Sequence, residues 1–279
     1  QTIQDPVDGK NVISTIDTNI QQIIRKALEK YQNEMANGPD GVKGAKNVGV
    51  VAMNPNTGEI LGMDSSDWYD LNNPRELSSF YTPEEIEAMD DEARLNALFD
   101  IWRNYCISDA FEPGSTFKPM TVAAALESGS ITEDDTFYCG GFKKVGGIPI
   151  KCAIYPNGHG TETLSETLKY SCNVAMMDIG EAMGAETFLK YQKLFNFGSY
   201  TGIDLPGEGS GILHSLDGLG STELGTASFG QGFTSTMIQE IAAFSSVING
   251  GVYYKPHVVN TITDSSGAVV ENTEPVVVR

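Results

Sequence analysis

Apolar residues recur at helical spacing in several parts of the chain. In "STIDTNIQQIIRKALEKY", one face of a predicted helix carries Ile20, Ile23, Ile24, Ala27 and Leu28. Cap-type residues precede this face, as expected where a helix begins. The same spacing predicts helices in five later segments: "TFKPMTVAAALESG", "TLSETLKYS", "VAMMDIGEAMG", "AETFLKYQKLF" and "TSTMIQEIAAFSSVINGG".

One more helix is predicted over "TPEEIEAMDDEARLNALFDIW", where Thr82 is placed to cap and Pro83 occupies the first turn. Alternating apolar runs around turn residues predict three β-hairpins, which turn at 54–58, within "CGGFKKVGGIPIKC" and at 264–267. The stretch 198–232 is rich in Gly, Pro, Ser and Thr, so it is expected to be mostly loop. The order of helix, hairpin, several helices and then strands is typical of the α+β class.

Composition limits the kinds of partner. The chain has 279 residues, a formal net charge of −19 and a hydrophobic fraction of 40%, which is enough for a sizeable core. A nucleic-acid-binding protein needs a basic surface, so the negative net charge argues against binding to nucleic acid and to anionic lipid. No run is long enough to span a bilayer, and the first residues lack the pattern of a signal peptide.

The four cysteines leave two interpretations open. None forms a Cys-x-x-Cys pair, which makes a zinc site a weak prediction, and no metal or cofactor is expected. Cys139 and Cys152 flank the hairpin segment "CGGFKKVGGIPIKC", so they are candidates for cross-strand neighbours joined by a disulfide if the protein is exported. Two buried free thiols are the alternative.

A possible nucleophile lies in "FEPGSTFKPM", where Ser115 precedes Lys118 by three residues. Ser-x-x-Lys is common by chance, and an N-cap after a Pro-Gly turn is the plain interpretation of Ser115. The chemical alternative is specific: residues i and i+3 of a helix share a face, so a lysine with a lowered pKa can take the proton of the serine. Free backbone N–H groups at the helix start could then stabilise an oxyanion.

A second element, Ser171-Cys172-Asn173, lies between two predicted helices. Its hydroxyl is able to relay a proton, and its amide is able to hold a substrate carbonyl. Ser-x-Asn by itself is also common, because Ser171 is able to cap a helix and Asn173 to close a turn.

Taken together, these blocks resemble a known family. "FEPGSTFKPMT", "HGTETLSETLKYSCNVAMMDIG", "FGSYTGIDLPGE" and "SFGQGFTSTMIQEIAAFSSVINGGVYYKPHVV" occur in the order seen in class B penicillin-binding proteins, and "VISTIDTNIQQ" with "VVAMNPNTGEILGM" resembles the entry to their transpeptidase domain. The likeness covers nearly the whole chain and is nearest to the division and spore-cortex branch. It implies a single transpeptidase domain over 1–279 with the penicillin-binding or serine β-lactamase-like fold: an antiparallel sheet flanked by helices, plus a helical subdomain.

The resemblance also implies a reaction. Ser115 would attack a D-Ala-D-Ala stem peptide of peptidoglycan and form an acyl-enzyme, which a neighbouring peptide's amine would resolve into a crosslink. Lys118 would be the base, Ser171 would shuttle the proton and Asn173 would bind the substrate amide, without metal or cofactor. β-Lactam antibiotics would acylate the same serine. A glycosyltransferase and division or sporulation proteins are implied as partners, on the extracytoplasmic face of the bacterial membrane behind an N-terminal anchor helix that this chain does not include.

One departure from the family pattern keeps alternatives open. The third family motif, Lys-Thr/Ser-Gly, is absent, and the chain reaches Arg279 before the motif would occur. We expect that the chain is incomplete at the C-terminus and lacks the last strands; the alternatives are that these strands belong to a separate polypeptide, or that the chain is a catalytically dead scaffold. A penicillin-sensing receptor domain on the same fold is a further alternative.

Other polar residues are assigned structural roles. His159 and His214 lie in Gly-rich loops without a nearby acid motif, Glu208 belongs to a loop of structural role in the family, and Cys172 is expected to be a small buried side chain rather than a second nucleophile.

Overall fold

The computed structural model describes residues 9–35, 47–66 and 68–279. Its helices are α1 (Thr18–Met35), α2 (Pro83–Ala88), α3 (Asp91–Trp102), α4 (Tyr105–Ser108), α5 (Lys118–Glu127), α6 (Leu164–Lys169), α7 (Asn173–Leu194), α8 (Ser221–Ala227) and α9 (Met237–Ile248). A 3₁₀ turn, Gly114–Phe117, leads directly into α5. Within these ranges, every helix is too short or too polar to cross a membrane.

The strands are β1 (Asn11–Ser14), β2 (Gly49–Met53), β3 (Ile60–Ser65), β4 (Ala110–Phe111), β5 (Thr136–Cys139), β6 (Phe142–Val145), β7 (Ile148–Lys151), β8 (Gly160–Thr163), β9 (Ser235–Thr236), β10 (Val259–Thr263) and β11 (Val269–Asn272). Each paired ladder is antiparallel, as expected for this class of fold. The strands are divided among small sheets: β1-β10-β11, β2-β3, β4-β9, β5-β8 and β6-β7.

The three predicted hairpins are confirmed as β2-β3, β6-β7 and β10-β11. The first of them is tied to the β10 region by main-chain hydrogen bonds. Ile60 N donates to the carbonyl of His257 at 3.0 Å, and His257 N donates to the carbonyl of Gly58 at 3.0 Å. These bonds extend β3 towards the strand that follows α9, and so link the N-terminal and C-terminal parts of the described chain.

The main core surrounds α5 and α7. At its centre Phe117 makes edge-to-face contacts with Phe188, Phe197 and Phe233, with ring centroids 6.1, 5.2 and 4.9 Å apart. Such aromatic pairs add about 1 kcal/mol each beyond the area they bury. Because Phe117 ends the 3₁₀ turn, this packing fixes the backbone that presents Ser115.

Most helix predictions are confirmed, with two differences. The single helix predicted after Thr82 is wrong: it is broken into α2 and α3 at Met89 and Asp90, where the Asp90 carboxylate accepts from Ala93 N at 2.8 Å and caps the second helix. Helix α8 lies inside the stretch expected to be mostly loop. Its residues Leu224 and Ala227 are buried, so tertiary packing forms a helix that local propensity does not favour.

The two helices predicted on either side of residue 184 are also confirmed. They follow each other without an intervening loop as α7, but Gly184 breaks the helical backbone with φ +70° and ψ 161°. A residue with a side chain rarely adopts this conformation, and the glycine therefore allows the chain to change direction within α7.

Candidate active site

Ser115 lies on the 3₁₀ turn between β4 and α5, and its side chain is exposed. The interpretation of Ser115 as a helix N-cap is wrong: Pro113 occupies the cap position of the turn, and Phe117 occupies that of α5. The Ser115 hydroxyl therefore takes no part in helix capping; it accepts a hydrogen bond from the Ser171 hydroxyl at 2.9 Å.

A close backbone contact holds this turn from one side. Gly114 N donates to the carbonyl of Gly230 at 2.8 Å. A Cβ atom on Gly230 would come within 2.0 Å of the Gly114 carbonyl oxygen, and Gly230 has φ +86°. Only glycine fits both the approach and the backbone angle.

Ser171 sits on a strained turn between α6 and α7. Its φ is +53°, which a residue other than glycine rarely adopts. Ser171 N bonds the Leu168 carbonyl at 3.1 Å, and Cys172 N bonds the Thr167 carbonyl at 2.9 Å. This is the Schellman pattern of a helix end, with serine in the position that glycine usually takes. Strain of this kind, on the order of 1 kcal/mol, tends to concentrate at functional sites.

Lys118 is the buried centre of the site. Its side chain is 2% exposed, and its Nζ donates to the Ser171 carbonyl at 2.6 Å, to Ser171 Oγ at 2.9 Å and to Asn173 Oδ1 at 2.8 Å. A hydrogen-bonded chain therefore runs from Lys118 through Ser171 Oγ to Ser115 Oγ. We call these four residues (Ser115, Lys118, Ser171 and Asn173) the lysine cluster.

The link between Ser115 and Lys118 differs from the one predicted. Residues i and i+3 of one helix are expected to touch directly, but a 3₁₀ turn precedes α5 and the three Lys118 bonds all go to residues 171 and 173. The four sequence-predicted site residues are nevertheless together in one cluster.

Burial changes the acidity of this lysine. Desolvation lowers the pKa of Lys118 from 10.5 to about 8, while the nearby thiol groups of Cys152 and Cys172 oppose the shift. About a tenth of an amine with a pKa near 8 is neutral at pH 7, and this neutral form is able to accept a proton.

Asn173 connects the lysine cluster to the β6-β7 hairpin. Its Nδ2 donates to the carbonyl of Lys151, the last residue of β7, at 3.3 Å. Its Oδ1 faces Lys118, so both ends of the amide are engaged. This arrangement fixes the side chain at the entrance to α7.

One partly buried acid near Ser115 was missed by sequence reasoning. Glu240, in the first turn of α9, accepts from Ser235 Oγ at 3.0 Å and from Thr116 Oγ1 at 3.5 Å. Burial raises the pKa of Glu240 to about 7. Its position beside Thr116 supports the turn that carries Ser115, and no local motif distinguishes it from other glutamates in the sequence.

Two of the residues assigned structural roles, Glu208 and Cys172, make local structural contacts, whereas His159 lies 3.4 Å from the Glu162 carboxylate, an acid that was not expected beside it. Glu208 accepts from Thr201 N and Oγ1, both at 2.6 Å, and from Gly202 N at 3.1 Å, so it organises its own loop. Cys172 is buried and caps α7, with Sγ accepting from Ala175 N at 3.4 Å. Burial raises the pKa of the Cys172 thiol, which makes it a poor nucleophile.

The prediction for Cys139 and Cys152 is correct in one respect and wrong in another. Both are buried free thiols. They are not cross-strand neighbours, because Cys139 pairs with Gly160 of β8 while Cys152 follows β7. The fold nevertheless brings both sulfurs close to Cys172 and His159, a group that local spacing did not indicate; we call these four residues the thiol cluster.

Comparison with known proteins identifies the family. The model of the penicillin-binding protein transpeptidase domain matches residues 48–278. The chain therefore belongs to the penicillin-binding protein transpeptidase family, and its relatives are class B penicillin-binding proteins.

Two curated relatives show the level of sequence identity within this family. Stage V sporulation protein D of Bacillus subtilis is 38% identical over 260 residues, which cover 93% of this chain and 36% of the relative. The peptidoglycan D,D-transpeptidase FtsI of Escherichia coli is 30% identical over 251 residues, covering 87% of this chain and 36% of the relative. The chain thus spans about a third of the length of these curated relatives.

Solved structures share the fold. Penicillin-binding protein 3 of Mycobacterium tuberculosis, in complex with aztreonam, has a TM-score of 0.80 at 24% identity and covers 100% of this chain and 56% of that one. A peptidoglycan synthetase of Bifidobacterium adolescentis has a TM-score of 0.78 at 28% identity, with coverage of 98% and 45%. The predicted transpeptidase fold is confirmed.

Proposed function

We propose that residues 1–279 act as one transpeptidase domain that crosslinks peptidoglycan through an acyl-enzyme on Ser115. The observation that carries this proposal is the hydrogen-bonded chain from the buried Lys118 through Ser171 to Ser115. A serine is a weak nucleophile until a base removes its proton, and this chain connects the hydroxyl to an amine whose pKa is already lowered.

In the acylation step, Ser115 Oγ gives up its proton, which passes through the Ser171 hydroxyl to the neutral Lys118 amine. The Ser115 oxygen forms a bond to the carbonyl carbon of the penultimate D-Ala, and the amide C–N bond to the terminal D-Ala breaks. The proton returns along the same chain to the leaving amine. The backbone N–H of Ser115, in the first turn, is a candidate donor to the oxyanion.

The second step uses the same groups in reverse. The amine of a neighbouring stem peptide gives up a proton to Lys118 and attacks the acyl carbon, and Ser115 leaves with its proton restored. Asn173 is fixed between Lys118 and the Lys151 carbonyl, and in this proposal its amide aligns the peptide backbone of the substrate.

The relatives support this class of chemistry. The relative from E. coli is named a peptidoglycan D,D-transpeptidase, and structures of the M. tuberculosis neighbour hold aztreonam or ampicillin. We propose that this chain acts likewise on peptidoglycan stem peptides outside the cytoplasm and is acylated by β-lactams. We also propose that the protein is anchored to the membrane and works with a glycosyltransferase and with division or sporulation proteins. Because these relatives are named as transpeptidases, they do not favour the alternatives of a penicillin-sensing receptor domain or a catalytically dead scaffold.

Intact-protein mass spectrometry with a penicillin tests the proposal. Ring opening of a β-lactam loses no atoms, so acylation should add the whole mass of the drug once per chain. The adduct should be absent in Ser115→Ala and retained in Ser265→Ala, which alters an exposed serine of the β10-β11 turn. An adduct that persists in a folded Ser115→Ala variant would exclude Ser115 as the nucleophile.

A further inference from the structure

Four metal-ligating side chains converge behind the Ser171–Asn173 turn. The sulfurs of Cys139, Cys152 and Cys172 and a ring nitrogen of His159 all lie within 4.8 Å of one another. Cys152 Sγ is 3.9 Å from His159 Nδ1. The three cysteines are buried, and they lie at the end of β5, directly after β7 and at the cap of α7.

A buried carboxylate lies next to this cluster and faces its histidine. Glu162 is 1% exposed, and within the described part of the chain neither of its side-chain oxygens makes a hydrogen bond. Its Oε1 lies 3.4 Å from His159 Nδ1. Burying a carboxylate whose oxygens make no hydrogen bond costs several kcal/mol, so such a group in a folded protein calls for an explanation.

We propose that Cys139, Cys152, His159 and Cys172 bind one zinc ion. Three thiolates and one imidazole are the ligand set of a closed structural zinc site. With a metal–sulfur distance of about 2.3 Å, a tetrahedron has edges of about 3.8 Å, so the ligand atoms need to move together by roughly 1 Å at most. Binding releases the three thiol protons and leaves a centre of net charge −1.

The zinc site accounts for Glu162 as well. A histidine that binds zinc usually donates its other ring N–H to a carboxylate, which fixes the ring and strengthens the bond to the metal. Glu162 Oε1 lies 3.4 Å from His159 Nδ1, so in the proposed site the imidazole binds zinc through Nε2 and donates its Nδ1–H to Glu162.

The position of the site indicates what the metal does. Cys172 lies between Ser171 and Asn173, and Cys152 follows Lys151, whose carbonyl holds Asn173. A zinc ion bound there would join the β6-β7 hairpin to the strained turn at Ser171. Because all four coordination positions are filled by the chain, the metal positions the lysine cluster and does not itself contact a substrate.

Metal content of the full chain, purified from zinc-supplied cells without chelator, tests this inference. Native mass spectrometry and elemental analysis should give one zinc per chain, and cobalt exchanged into the site should show thiolate charge-transfer bands with tetrahedral d–d bands. Both readouts are independent of acylation, so they remain informative if the proposed transpeptidase activity fails.

Matched variants locate the site. Cys172→Ser and Cys139→Ser should lose the metal, whereas Cys106→Ser, which alters an equally buried cysteine on α4, should keep it. Glu162→Gln should weaken zinc binding by about 10- to 100-fold, measured by chelator competition. If a cysteine variant does not fold, the zinc content and the cobalt spectrum of the unaltered chain still decide whether the thiol cluster binds a metal.

Three results would overturn the inference. One is a chain that takes up no zinc although all four of its thiols are free. Another is a mass deficit of two hydrogen atoms with a Cys139–Cys152 disulfide in the isolated protein. The last is zinc retained by folded Cys172→Ser but lost by Cys106→Ser.

Discussion

Two buried polar clusters meet at residues 171–173, and they differ in how their members are paired. In the lysine cluster every hydrogen of the Lys118 ammonium has an acceptor, and both ends of the Asn173 amide are engaged. In the thiol cluster three thiols and an imidazole crowd together, and the adjacent Glu162 carboxylate has no hydrogen-bond partner among the described residues. Both clusters are held by the same short turn.

The difference separates two kinds of site. A cluster that satisfies its own polar groups can work as it stands, and its chemistry depends on how burial changes the acidity of its members. A buried carboxylate that makes no hydrogen bond is costly unless a further group offsets its charge. The lysine cluster therefore indicates acid–base chemistry, and the thiol cluster indicates a bound cation.

The largest effect is expected from removing Lys118, the proposed base. Lys118→Met keeps the length of the side chain but cannot accept a proton, so acylation by penicillin should slow by about 100- to 10,000-fold. The free energy of unfolding should change by only about 1–2 kcal/mol, because two effects oppose each other. The variant loses three hydrogen bonds, but it no longer has to bury a charged ammonium group. Stopped-flow acylation and thermal unfolding would measure the two effects.

The exposed Lys144→Met variant serves as the control and should acylate at the unaltered rate. If Lys118→Met acylated normally while folded, the lysine cluster would not supply the base.

A smaller effect is expected from Asn173→Asp, which should change the pKa of Lys118 while the lysine cluster stays in place. Asn173→Asp puts a carboxylate 2.8 Å from Lys118 Nζ in an almost unchanged shape. An opposite charge at that distance favours the protonated amine, so the pKa of Lys118 should rise by roughly one unit or more. The pH at which acylation reaches half its maximum should rise with it. An unchanged inflection in Asn173→Asp would mean that a group other than Lys118 controls the rate.

The smallest effect is expected at Glu240, which contacts the turn that carries Ser115 through Thr116. Its carboxyl has a pKa of about 7 in the folded chain, against an ordinary value of 4.5. The unfolded chain therefore loses this proton first, and stability falls as pH rises from about 4.5 to about 7, after which the penalty stays constant. Glu240→Gln removes the penalty.

The gain in Glu240→Gln should be near zero at about pH 4.5 and reach about 1–3 kcal/mol above about pH 7, or several degrees in Tm. Thermal unfolding across this pH range, with the exposed Glu87→Gln as control, would measure it. A gain that is the same at all pH values would show that ionisation of Glu240 is not the cause.

Sequence reasoning reached the lysine cluster but not the thiol cluster, for a physical reason. Ser115 and Lys118 are close in the chain, and Ser171 and Asn173 form a recognisable tripeptide, so short spacings and a family pattern were sufficient. The ligands of the thiol cluster come from separate strands and a helix cap, which only tertiary structure brings together. Three cysteines and a histidine within 139–172 were the available signal.

Local structure was predictable where the signal was local. Turn residues at 54–58 and 264–267 gave correct hairpins, since turn geometry is set by a few residues. The break at Asp90 and the helix α8 were missed. At Asp90 a second cap interrupted a continuous apolar pattern, and in α8 the buried face of Leu224 overrode weak propensity.

The dependence of acylation on pH tests the central claim most directly. With Lys118 as the base and its pKa lowered to about 8, the second-order rate of penicillin acylation should rise about tenfold per pH unit below about pH 8 and level off above it. The neutral amine is the reactive form, so the rate must increase with pH. A rate that stays flat or falls between about pH 6 and about pH 9 would contradict the assignment of Lys118 as the base.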